Sequence, residues 1–208
     1  MFLRRCAIPT LHARAVSTSV GCRIHHHDVD FHGDPVVNVY TDGSCRNNQN
    51  SELAQAGAAV FFGINDPRNY GFLLTGKPTN NRAELLSVHE ATRIILNDLK
   101  EHTHTKFQIM TDSKYVIGCL TEWYPRWQSN GWRTRKGKSV ANQDEIRAIM
   151  VNVREINTQY ANIGWGPLCF KHVYGHSGIY GNEIADKLAT AISGSVSAVS
   201  AAPVPDTL

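Results

Sequence analysis

The chain has 208 residues, 42% of them hydrophobic and 19% charged, with a formal charge of +3. That length and apolar content suit one domain of ~150 residues with extensions, and exclude a wholly disordered or fibrous chain. No run of eighteen apolar residues exists, which excludes a membrane-spanning helix.

The positive charge belongs to one end. Residues 1–27 hold Arg4, Arg5, Arg14 and Arg23 and no acid; the first acid is Asp28. Without those four, 17 basic residues stand against 18 acidic ones, so the remainder sums to −1. An Arg-rich, Ser/Thr-bearing, acid-free segment predicts a mitochondrial targeting leader over residues 1–27. The alternative is a basic tail without an address, leaving the protein nuclear or cytoplasmic. Residues 28–35 read as a linker, and the small, polar, Pro-capped stretch 193–208 as a disordered tail. Cys6, Cys22, Cys45, Cys119 and Cys169 show no C-x-x-C spacing, so the thiols are expected to be reduced.

Between linker and tail, residues 36–192 form one block. VVNVYTDGSC alternates and is β-branched, predicting a strand that runs into a turn at Asp42–Gly43. AGAAVFFG and NYGFLLTG predict two more strands, joined by a turn at Asn65–Asp66–Pro67. Leu85, Val88, Ala91, Ile95 and Leu99 then recur at helical spacing, with Asn80 or Asn81 as the cap. FQIMTD predicts a fourth strand and SKYVIGCL a short helix capped by Ser113. Ile146, Ile149, Met150, Val153 and Ile156 mark another helix, LCFKHVYG a fifth strand and NEIADKLATAI a last helix. The order predicts an α/β fold, a mixed five-stranded sheet with helices packed on it.

Four acids fall where this pattern calls for something apolar or neutral. Asp42 ends the first strand, Glu84 sits in the first turn of the long helix, Asp112 ends the fourth strand, and Asp186 lies among Ile184, Leu188 and Ala189. Carboxylates at strand ends and a nearby helix can converge on one point. Gathered there they repel, and a hard divalent cation with oxygen ligands relieves the repulsion. Each acid alone could instead cap a helix or turn.

The motifs around these acids are YTDGSC (40–45), TNNRAEL (79–85), TDSKYV (111–116) and GHSGIYGNEIADKLA (175–189). In order and approximate spacing they resemble the type 1 ribonuclease H family, over about 150 residues. The resemblance implies a ribonuclease H-like fold. It also implies endonucleolytic hydrolysis of the RNA strand of an RNA–DNA hybrid, leaving a 5′-phosphate and a 3′-hydroxyl. Asp42, Glu84, Asp112 and Asp186 match the family's four catalytic, metal-holding carboxylates. Two Mg²⁺ ions are implied, with Mn²⁺ able to substitute, one at the attacking water and one at the leaving 3′-oxygen. His176 matches the histidine that the family carries on the loop before its last helix, where an imidazole can shuttle a proton.

A near-neutral domain needs a local means of holding a polyanion. Residues 123–138, WYPRWQSNGWRTRKGK, carry Arg126, Arg133, Arg135, Lys136 and Lys138 and no acid, interleaved with Trp123, Trp127 and Trp132. Cations neutralise phosphates and flat aromatics pack on sugars or bases. Trp123 and Trp127 stand one helical turn apart and would share a face, while Trp132 also suits a core position. The stretch is similar to the basic protrusion of some family members, which implies that Tyr115, Trp123 and Trp127 contact deoxyriboses. Lys77, Thr79 and Asn142 match a DNA-phosphate pocket in which the family usually has Arg at the first position; Lys77 would offer a point charge instead. Asn80, Asn81 and the polar stretch 44–50 could hydrogen-bond 2′-hydroxyls and so identify RNA.

The leading expectation is a metal-dependent, monomeric ribonuclease H without a separate hybrid-binding module, acting on RNA–DNA hybrids and not on membranes. The alternatives are a catalytically silent hybrid-binding protein on the same fold and a ribonuclease H domain from a retroelement polymerase.

Overall fold

The computed structural model describes residues 28–29, 33, 35–50, 52–101 and 105–195. The expected leader and residues 196–208 of the expected tail lie outside these. In chain order the elements are β1 (Asp28–Val29), β2 (Pro35–Arg46), β3 (Gln55–Phe61), β4 (Tyr70–Leu73), α1 (Asn80–Lys100), β5 (Phe107–Thr111) and α2 (Lys114–Ile117). A π-helical turn (Gly118–Trp123), α3 (Tyr124–Ser129), α4 (Gln143–Asn162), β6 (Cys169–His172) and α5 (Tyr180–Ser193) follow.

The five main strands lie in the order β4-β3-β2-β5-β6. Strands β2, β3 and β4 are antiparallel neighbours, whereas β5 runs parallel to both β2 and β6. The two-residue β1 pairs with the start of β2, so Asp28, Val29 and Pro35, read from sequence as linker, are strand residues. Period-2 alternation sends Val39 and Val60 to one face and Tyr40 and Phe61 to the other. The first face carries the main core, in which Leu85, Val88 and Ile95 of α1 meet Ile146, Ile149, Val153 and Ile156 of α4. Ile184 and Ala185 of α5 pack with Phe61 on the second. Among the described residues no helix is long and apolar enough to cross a membrane.

Four local expectations are corrected. Asp42 does not end its strand: β2 continues to Arg46, because residues 40–46 pair without interruption with residues 55–61 of β3. The cap of α1 is Thr79, whose hydroxyl accepts from the Arg82 amide, and not Asn80 or Asn81; Glu84 therefore lies beyond the first turn. The helix begun at the Ser113 cap does not stop at Leu120 but continues through the π-helical turn into α3. Ser193, assigned to the tail, is the last residue of α5 and is buried, its hydroxyl donating to the Thr190 carbonyl.

One close approach sets the relation of α1 to the sheet. A Cβ on Gly43 would stand 2.2 Å from the Glu84 backbone nitrogen and 2.3 Å from the Ala83 carbonyl carbon. Neither neighbour is a movable side chain, so residue 43 must be glycine for α1 to cross β2 here. Gly43→Ala should therefore cost about 3 kcal/mol or more, read as a lowered midpoint in urea unfolding. An unchanged midpoint would show that α1 can shift without loss.

Candidate active site

The crossing at Gly43 brings Asp42 and Glu84 together from different elements, and β5, parallel to β2, delivers Asp112 just past its end. Helix α5 packs over β2 and β3 and adds Asp186. Asp42 is 7% exposed. Burial, followed by the charge of Asp112, pushes its carboxyl up to about 8; Asp186 and Glu84 add to the rise, and the Gly43 amide opposes it. All four expected carboxylates thus bear on one point.

Each of the outer acids is held by a neighbour. Glu84 accepts from Asn80 Nδ2 at 2.8 Å through one oxygen and from the Ser113 hydroxyl through the other. Burial raises its pKa, and the Ser113 bond works against the rise. Asp112 Oδ2 accepts from Asn182 Nδ2 at 3.1 Å. Gly175 is pressed against the same oxygen, since a Cβ there would lie 2.7 Å away. Asp186 has a third of its side chain exposed, with Thr190 Oγ1 3.5 Å from its Oδ1.

Three supports were not identified from sequence. Ser113 caps α2 by accepting from the Val116 amide and also donates to Glu84; only the capping was visible in its position before a helix. Asn80 braces Glu84 from one turn earlier, an i, i+4 spacing the sequence does display. The buried Asn182 meets Asp112 across 70 residues of chain, which no local pattern reveals.

His176 has 85% of its side chain exposed and a left-handed backbone, φ 51°. Its Nδ1 stands 3.9 Å from Asp186 Oδ2, beyond hydrogen-bond length. It borders the acids without being locked to them.

The acids suit a hard cation by charge and by donor type. Among the described residues, however, no three His, Cys, Asp or Glu side chains form a ready-made metal cage. Asp42, Glu84, Asp112 and Asp186 are the residues that would hold a metal, with further oxygens from water or substrate.

Beside the N-terminus of α1 lies a cavity of about 810 Å³. Of the expected contacts, Lys77, Thr79, Asn80, Asn81, Tyr115 and Asn142 line it together. Asn142 is left-handed, φ 54°, and its Nδ2 donates to the Tyr115 hydroxyl at 3.2 Å. Asn48 is the residue of the 44–50 stretch that reaches this cavity. Arg82 lines it too, but its Nε binds Glu145 at 2.7 Å and its Nη1 donates to the Thr75 and Lys77 carbonyls. It braces the loop that carries Lys77, and the Lys77 ammonium remains exposed.

The basic arm follows the π-helical turn after α2. Tyr115, Trp123, Trp127 and Trp132 form a chain of rings with successive centroids 6.3, 5.7 and 6.1 Å apart. Trp123, 39% exposed, lies over Gly118, whereas Trp132 is in the core beneath the Arg147 guanidinium. Trp123, Trp127, Arg133 and Arg135 line a second cavity of about 400 Å³ together with Arg126 and Thr134. Lys136 and Lys138 are exposed nearby on the turn that Arg133 closes by donating to the Gly137 carbonyl.

The protonation of Asp42 has a consequence for stability. Between its unfolded value of 3.8 and its folded value of about 8, the metal-free folded state holds a proton that the unfolded chain has released. Asp42 thus stabilises the fold fully below the first value, and that contribution is lost as pH rises through the second. In EDTA the melting temperature should fall between about pH 5 and pH 8, and Asp42→Asn should flatten that fall. Parallel profiles for the two proteins would refute the assignment.

Comparison with known proteins agrees with this geometry. The RNase H family profile matches residues 34–193. Ribonuclease H1 of Homo sapiens is 40% identical over 159 residues, covering 76% of this chain and 50% of that protein. Ribonuclease H of Hahella chejuensis is 37% identical over 153 residues, covering 74% and 90%. This chain matches about half the length of its mammalian relatives. A solved foamy viral protease-reverse transcriptase in complex with RNA/DNA hybrid superposes with a TM-score of 0.57 at 25% identity, over 76% of this chain and 20% of that one. The motif resemblance, the sheet order and the extent of the family match agree: the chain belongs to the RNase H family.

Proposed function

We propose that this protein is a divalent-metal-dependent endonuclease that hydrolyses the RNA strand of RNA–DNA hybrids. The products are a 5′-phosphate and a 3′-hydroxyl. The observation that carries the reading is the meeting of four carboxylates about the buried Asp42, whose burial, with the charge of its neighbours, raises that group to about 8. The relatives named ribonuclease H and the related fold in complex with RNA/DNA hybrid support it.

Two Mg²⁺ ions, or Mn²⁺ in their place, would supply Lewis acidity at the scissile phosphate and lower the pKa of water there. The chain's own residues do the rest. Asn80 and Ser113 hold Glu84, and Asn182 holds Asp112, so these acids face the phosphate in fixed orientations. His176, exposed beside Asp186, takes up or delivers a proton as the products part. Lys77, Thr79 and Asn142 receive a DNA phosphate in the cavity beside α1, while Asn80 and Asn81 address RNA hydroxyls. Tyr115, Trp123 and Trp127 pack on deoxyriboses, and Arg133, Arg135, Lys136 and Lys138 neutralise neighbouring phosphates.

We further propose that residues 1–27 direct the protein to mitochondria, on the strength of their four arginines and lack of acids. A fluorescent reporter fused to this segment should concentrate there; diffuse fluorescence would reject the address.

The central test is strand-resolved digestion of a labelled hybrid beside duplex RNA and duplex DNA. With Mg²⁺ only the RNA of the hybrid should be cut, and Asp112→Asn should bind hybrid without cutting it. Wild-type protein that binds hybrid and never cuts it, with either Mg²⁺ or Mn²⁺, would sink the enzyme reading. For the aromatic arm Trp123 gives the cleanest variant, because Trp127 packs between two other tryptophans. Trp123→Ala should weaken hybrid binding by about tenfold while leaving the unfolding midpoint nearly unchanged. Unaltered binding would remove Trp123 from the interface.

A further inference from the structure

The loop between β6 and α5 carries an aromatic that the proposed reaction does not yet use. Tyr174 is 74% exposed, the highest value among the large exposed hydrophobic side chains described. Its hydroxyl has no hydrogen-bond partner among the described residues. Exposed aromatics are common on protein surfaces and need no explanation singly. This one is distinguished by how it is held and by what adjoins it.

Its ring meets His172 edge-on, with centroids 5.5 Å apart and planes at 86°. His172 Nε2 in turn donates to the Asp112 carbonyl at 3.2 Å. The backbone on either side is fixed as well. The Val173 amide donates to the Thr111 carbonyl at 3.0 Å, and Ser177 Oγ donates to the Tyr174 carbonyl at 2.5 Å. The next residue, Gly175, abuts the Asp112 carboxylate. A phenol donor is therefore presented on a braced backbone, beside the glycine that abuts an acid of the cluster.

A duplex hides the faces of its bases in the stack, so a side chain on this rim meets sugar and phosphate first. Tyrosine hydroxyls are among the groups that hold phosphates and thereby fix register. We infer that Tyr174 donates its phenolic hydrogen bond to the RNA phosphate adjoining the scissile one, setting the position of the RNA strand over the acids. This inference rests on the ribonuclease H reading and adds to it a residue that belongs to this chain's own loop.

Tyr174→Phe removes the donor and keeps the ring against His172. With Mg²⁺, kcat/KM on hybrid should fall about tenfold, the loss lying in KM while kcat changes by less than about twofold. A scan of hybrids bearing one methylphosphonate each tests the contact itself. At one phosphate beside the cut, the neutral group should cost the wild type about tenfold and the variant no more than about twofold. Equal losses in both proteins at every position would overturn the inference, as would a variant that cuts as well as the wild type. A wild type that cuts no hybrid at all would defeat the ribonuclease H reading and this one with it.

Discussion

Helix α1 crosses β2 with room for nothing larger than a hydrogen atom between Gly43 and the Glu84 backbone. That contact fixes the depth of the helix on the sheet, and the depth determines whether a carboxylate from each element can address the same point. A side chain at residue 43 would lift α1, carrying Glu84 away from Asp42 and loosening the apolar seam of Leu85, Val88 and Ile95 beneath it. Packing and chemistry therefore make the same demand on one position.

The electrostatics follow from that geometry. A buried acid beside three others is costly to ionise, and the fold meets the cost by leaving Asp42 protonated until about pH 8 in the absence of metal. Glu84 and Asp112 are held by neutral donors from Asn80, Ser113 and Asn182 in place of lysine or arginine. A cationic partner would have neutralised the cluster from within. Amides and a hydroxyl orient the oxygens while preserving their charge for something that arrives from outside. Lys77 beside α1 and Arg126, Arg133 and Arg135 on the arm, cations that line the two cavities, come from segments other than those that carry the acids.

Much of this was legible in the sequence because periodicity reports burial. The spacing of Leu85 to Leu99 and of Ile146 to Ile156 located two helices correctly, and the positions that repeat are largely the buried ones. The motifs placed the four acids. Boundaries were less legible, for identifiable reasons. Asp42–Gly43 looks like a turn, since Asp and Gly favour turns, but continuous pairing with β3 keeps the chain extended. Thr79 and Asn80 are both competent caps, but the Arg82 amide bonds the Thr79 hydroxyl while the Asn80 amide turns to Glu84 one turn on. The π-helical turn at Gly118 has no periodic signature, although Trp123 lies across its glycine. Asn182 and Arg82 serve partners 70 and 63 residues away, distances at which a one-dimensional pattern carries no signal.

The four acids enter the chain in the order 42, 84, 112 and 186, on β2, on α1, just past β5 and on α5. A chain folding as it leaves the ribosome can assemble β2, α1 and β5 while α5 is still inside the exit tunnel. At that stage the cluster lacks both Asp186 and the amide that orients Asp112. The acid cluster is therefore complete only once α5 has docked, and a polypeptide interrupted before α5 lacks both its fourth carboxylate and that amide.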